Sequence, residues 1–175
     1  VVWLEPGTAL RARRYTATGA PIGTEFVAAA ENDLGRLFLP FDVAMGDSGE
    51  FVVVYRRRIE VDFRDIATGL YARRFAADAA AHGAEFRVSQ REGYPYDMRA
   101  AMGPSNSWVV GWAQSDRVSG IDITRFHARL YEGIRTPVRT YLTPRATGIG
   151  ASPVLVGGLG VEAALLAACG AWPDL

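Results

Sequence analysis

The chain has 175 residues, 49% of them hydrophobic, and balances 19 basic against 19 acidic side chains, every cation being arginine. That suffices for one ordinary core or a few small repeat units. Zero net charge offers no basic face to a polyanion, which argues against nucleic acid as a partner, and the single Cys169 excludes an internal disulfide framework or a cysteine metal cluster.

The opening VVWLEPGTAL lacks an initiator Met and any basic-then-apolar secretion signal, so the chain reads as a mature product or a piece of a larger one. LRARRYTATGAPIGTEF (10–26) then returns as LYARRFAADAAAHGAEF (70–86), nine of 17 residues being shared at an offset of 60. Self-similarity at a fixed period marks a repeat architecture. FVVVY (51–55) returns as WVVGW (108–112) at an offset of 57, with the pairs Met45-Gly46 and Met102-Gly103 ahead of them. VVW (1–3) fits the end of the same element. FHARLYEGIRTPVRTYL (126–142) is a degenerate third copy of the arginine stretch, keeping Ala128, Arg129 and an aromatic Tyr131.

Each unit divides into about four short strands. One is LRARRY or LYARRF, a second GTEFVA or GAEFRV, a third FDVAM or MRAAM, and the fourth FVVVY or WVVGW after the turns GDSG and GPSNS. Aromatic and β-branched residues fill pleated surfaces, and apolar runs of five are too brief for ordinary helices. A run apolar on both faces needs cover on both sides. The expected fold is all-β, a β-propeller-like array of about three four-stranded blades, with a two-sheet β-sandwich as the rival. The repeat region spans 1–150, in copies of about 1–55, 56–112 and 113–150, and 151–175 is an apolar C-terminal tail. Its apolar stretch, Val154 to Cys169, holds Glu162 and is shorter than the ~20 residues of a membrane span, so none is expected.

The order FVVVY, then a loop, then LYARRF, a turn and GAEFRV resembles the degenerate repeats of large secreted or surface proteins of bacteria, many associated with calcium-binding or adhesin-like modules. That resemblance implies propeller-like β-structure with no catalytic role, an extracellular or cell-surface location, and other protein chains or further repeats as partners. Calcium is the one cation it brings in. Asp62, Asp65, Asp116 and Asp122 supply carboxylates but lack the alternating spacing that wraps calcium, so no cofactor or metal is expected.

Binding residues are sought in the connections after Trp3, Tyr55 and Trp112, of six, 14 and 13 residues, because variable loops on a repeated scaffold are where binding resides. Tyr55, Tyr94, Tyr96 and Trp112, beside Asp62, Asp65 and Asp116, form the candidate set, an aromatic ring flanked by polar groups being the usual hold on a sugar. The competing role for Tyr55 and Trp112 is blade-to-blade core. Arg13 with Glu25, and Arg73 with Glu85, are expected as cross-strand ion pairs, with the neighbouring arginine of each pair as alternative partner. Neither His82 nor His127 lies in a serine-elbow context, and GDSG (46–49) lacks G-x-S-x-G spacing. Asp42 and Asp97, near-equivalent in two copies, suit a repeated structural task better than a catalytic acid pair. The leading expectation is a non-catalytic structural or adhesion scaffold. A lectin-like glycan-binding module is the alternative, and a secreted carbohydrate-active enzyme the second alternative.

Overall fold

The computed structural model describes residues 1–5, 9–30, 41–61, 65–89, 94–103, 106–118, 121–132 and 136–142. Among them the protein is all-β, with eleven strands in three antiparallel sheets and no helix. The first sheet has the order β1 (Val2–Glu5), β2 (Ala9–Tyr15), β3 (Pro21–Ala30). The second is a meander of β4 (Phe41–Met45), β5 (Phe51–Val61), β6 (Asp65–Phe75) and β7 (Phe86–Arg87). The third repeats it with β8 (Tyr94–Met102), β9 (Trp108–Val118), β10 (Ile121–Glu132) and β11 (Thr136–Leu142). Copy boundaries placed after Tyr55 and Trp112 fall inside β5 and β9. The sheets instead divide the chain at 31–40 and 90–93.

Tight hairpins explain the regular spacing. Thr16 N–H donates to Ala20 O, Gly46 to Glu50 O, Ala76 to Ala80 O and Gly103 to Ser107 O, all at 2.8–2.9 Å. In each turn one residue takes a left-handed backbone: Gly19 at φ 84°, Gly49 at 81°, Ala79 at 74° and Asn106 at 58°. Glycine and asparagine meet that demand cheaply; Ala79 does not.

The segments after Tyr55 and Trp112, expected as loops, are largely strand. β5 and β6 stay paired from Phe51↔Phe75 out to Val61↔Asp65, and β9 and β10 from Trp108↔Tyr131 to Val118↔Ile121. A ladder needs only paired backbone, so it continues through the three arginines of RRRIEV to Ile59 and Val61, which resume the alternation of Val53 and Tyr55.

The sheets stack through a repeated division of faces. In the second sheet Phe51, Val53, Tyr55 and Phe75 share a near face that packs against Leu10, Ala12, Ala28 and Ala29 of the first. Val52, Val54, Leu70, Ala72 and Val88 share its far face, which packs against Met98, Trp108, Val110, Trp112 and Tyr131 of the third. Trp108, Val110 and Trp112 stand 57 positions after Phe51, Val53 and Tyr55, so both interfaces use the same positions. The far face of the third sheet carries a smaller buried cluster, Val109, Ala128 and Leu130. Burying faces this apolar contributes roughly 25 cal/mol per Å² removed from water.

Polar links fix the stacking register. Asp42 Oδ2 on β4 accepts from Ala100 N–H on β8 at 2.8 Å. Ser48 donates to Asn106 between two hairpin tips at 3.1 Å, and the buried Arg56 donates to Pro95 O at 3.4 Å. Asp97 has φ 48° where β8 shifts register between Tyr96 and Arg99. Asp42 and Asp97 thus hold structural positions.

Candidate functional site

The most repeated polar constellation lies on the near faces. On β2, Arg11 is paired opposite Trp3 of β1 and Val27 of β3, which puts Glu5 and Glu25 on the diagonals of the same face. Arg11 Nε donates to Glu5 at 2.6 Å and Nη1 to Glu25 at 3.0 Å. Through its hydrogen bond and then its charge, Glu5 raises the Arg11 guanidinium above its ordinary value, with burial opposing and Glu25 adding to the rise.

The second sheet rebuilds this cluster with its cation moved to another strand. Tyr71 stands where Arg11 does, Arg57 where Glu5 does, and Glu85 where Glu25 does. Arg57 donates to Glu85, Tyr55 Oη donates to the other oxygen of the same carboxylate, and the Arg57 guanidinium lies 5.3 Å from the Tyr71 ring centroid. In the third sheet the corresponding Trp112 stacks on His127 at 5.2 Å and 10°, and its indole N–H donates to Gln114 at 3.4 Å. The position changes from an exposed charge cluster to an aromatic stack along the series.

These contacts correct the expected ion pairs. Glu25 pairs with Arg11, whereas Arg13 donates to Gly23 O at 3.3 Å. Glu85 pairs with Arg57, whereas Arg73 reaches Ala28 O at 3.5 Å across the sheet interface and lies 5.5 Å from the Phe75 ring centroid. Arg74 pairs with Glu50 at 2.9 Å. The cause is register: β2 shifts against β3 between Ala12 and Arg14, displacing Arg13 from Glu25. Arg57 was hidden because it falls in the segment read as loop. The signal that finds it is the alignment of VVW with VVY, which carries Glu5 onto Arg57.

The candidate binding residues separate. Tyr55 and Trp112 are 1% and 2% exposed. Tyr55 lies between the first and second sheets and Trp112 between the second and third, so both are interior and share no surface. Their core role accounts for their repetition. Tyr94 opens β8 opposite Ser115, and Asp116 lies in β9 opposite Ile123, so these two share one end of the third sheet with Tyr96, whose Oη is 2.8 Å from Thr124 Oγ1. Asp65 opens β6 opposite Val61, at the tip of the β5–β6 hairpin. Asp62 and the tail 151–175 lie outside the described residues.

Among the described residues no three His, Cys, Asp or Glu side chains are grouped to hold a metal ion, and no helix is long and apolar enough to cross a membrane. Chemically, the near-face carboxylates are engaged within the fold: Glu5 and Glu25 share the Arg11 guanidinium, and Glu85 is held by Arg57. Comparison with family models, curated proteins and solved structures finds no match for the chain.

Proposed function

We propose that the chain is a non-catalytic structural or adhesion scaffold of the extracellular or cell-surface kind, in which propeller-like β-blades of a bacterial repeat type stack on one another and on further repeats or chains. The observation that carries this reading is the recurrence of one interface. Phe51, Val53 and Tyr55 receive the first sheet as Trp108, Val110 and Trp112 receive the second. A sequence that repeats its packing positions while letting its polar clusters drift from Glu5–Arg11–Glu25 to Trp112–His127 is selected for stacking. A shared chemistry would instead keep the polar groups.

The test is a glycan array and a panel of polysaccharides, read beside light scattering. A scaffold retains no glycan, hydrolyses none, and associates with further copies or repeats. Saturable glycan retention replaces this reading with the lectin-like module, and turnover of any polysaccharide replaces it with a carbohydrate-active enzyme.

A further inference from the structure

In the second sheet the first strand has a defined task. β4 pairs with β5 and turns Asp42 and Ala44 toward the third sheet, where Asp42 accepts from Ala100 N–H and Ala44 packs in the cluster that includes Met98, Ala100 and Met102. Among the described residues the first sheet has no strand of this kind, and β1 is its edge. The surface such a strand would cover stands open. Val43 and Met45, on the near face of β4, are 39% and 56% exposed, whereas their counterparts Ala100 and Met102 are partly buried against the preceding sheet. The Val43 amide, counterpart of the Ala100 amide, is bonded by its own neighbour Asp42 at 2.9 Å.

The edge itself is ready to pair. Val1 and Arg13 exchange both backbone hydrogen bonds at 2.9 Å, and antiparallel alternation then turns the N–H and C=O groups of Val2 and Leu4 away from β2, toward the open side. We propose that the edge of β1 and the near face of β4 together accept one added β-strand. Its occupant is an extended peptide with the pattern of β4, an aspartate and a small residue two positions apart on one face. Its aspartate lies opposite Val2, as Asp42 lies opposite Val54, and its carboxylate takes over the Val43 amide. Main-chain bonds supply the affinity of such strand addition and alternate side chains its selectivity. This deepens the scaffold reading and rests on it, naming the element through which another repeat joins.

The experiment adds a synthetic peptide with the sequence of residues 40–46, PFDVAMG, to the full chain and follows amide exchange and chemical shifts by NMR. Slowed exchange at Val2 and Leu4 with a shift at Val43 is expected. Val43→Asp in the protein, or lysine for aspartate in the peptide, is expected to weaken binding by about tenfold or more, and the melting temperature of Val43→Asp, a change at an exposed site, confirms its fold. Several results overturn the proposal: no saturable shift, shifts confined to β3 or β11, full binding by Val43→Asp, or slow exchange at Val2 and Leu4 before peptide is added. Refusal of the peptide by a chain that also ignores glycans removes the acceptor and leaves the scaffold. Peptide binding by a chain that retains glycans does the reverse.

Discussion

Trp108 lies flat on Tyr131, ring centroids 4.1 Å apart and planes 5° from parallel. One sheet earlier, Phe51 lies on Phe75 at 4.9 Å and 11°. Each pair joins the first residue of the most apolar strand to the residue opposite it near the end of the arginine strand, and each is closed over by a phenylalanine of the preceding set: Phe86 at 6.1 Å from Trp108, Phe26 at 6.1 Å from Phe51.

Trp108→Ala and Phe51→Ala are therefore expected to cost about 3–5 kcal/mol each, a large part of the stability of a modest domain. Thermal or urea melts check this. Unchanged midpoints for both would mean that the stacked pairs carry no core.

Ala79 holds φ 74° where the copy 60 positions earlier has Gly19 at 84°. Ala79→Gly is expected to stabilise by up to about 1 kcal/mol by removing left-handed strain, and Gly19→Ala to destabilise by a similar amount. A Cβ at Gly19 meets nothing within 4 Å, so that variant reports backbone strain alone. Urea midpoints of the two variants should move in opposite directions.

Arg74 is 2% exposed and its side chain pairs with Glu50 at 2.9 Å, while its Nε and Nη1 have no hydrogen-bond partner among the described residues. Glu50→Ala strands a buried cation and is expected to cost about 2–3 kcal/mol, less than a fully buried pair because Glu50 keeps some contact with water. Arg74→Leu is expected to be neutral or stabilising, since Leu130 occupies the same position in the third sheet, opposite Val109 as Arg74 is opposite Val52. Equal losses for the two variants in chemical denaturation would refute the assignment.

Burial raises the Tyr131 phenol above its ordinary value, against the opposing influence of the nearby Arg129. The unfolded chain then ionises this group first. Its contribution is complete below the unfolded value of about 10 and fades as pH climbs through the higher folded value. Tyr131→Phe is thus expected to flatten the alkaline loss of melting temperature above about pH 10, in a pH series run on both proteins. Parallel curves would contradict it.

Much of this architecture is legible in the repeated stretches, because alternating apolar positions must be buried wherever they fall. FDVAM is β4 residue for residue, and FVVVY and WVVGW open β5 and β9. GAEFRV promised a strand like β3, yet only Phe86–Arg87 pairs as β7, although Gly83 and its counterpart Gly23 share a left-handed backbone, at φ 80° and 67°. The hairpin arms beyond Tyr55 and Trp112 were overlooked because polar runs, Arg56–Arg58 and Gln114–Arg117, separate the apolar openings from the alternating Ile59 and Val61 or Ile121 and Ile123, while the ladder itself asks nothing of side-chain polarity. The polar clusters were half legible. Glu25 and Glu85 stand out by repetition, but their partners depend on a register shift in β2 and on Arg57, which no apolar pattern marks.

Near-identical faces on successive sheets also create a hazard during folding. The far face of the first sheet, built from Leu10, Ala12 and Ala28, is a smaller edition of Leu70, Ala72 and Val88, so hydrophobic collapse alone does not tell the third sheet which neighbour to choose. Repeat chains misassemble through this kind of ambiguity. Discrimination falls to contacts that exist in one pairing only: Asp42 with Ala100, Ser48 with Asn106, Arg56 with Pro95. Each is individually weak, and their removal should show first as trapped, slowly refolding species, before equilibrium stability is much reduced. These three bonds serve as proofreaders of sheet order.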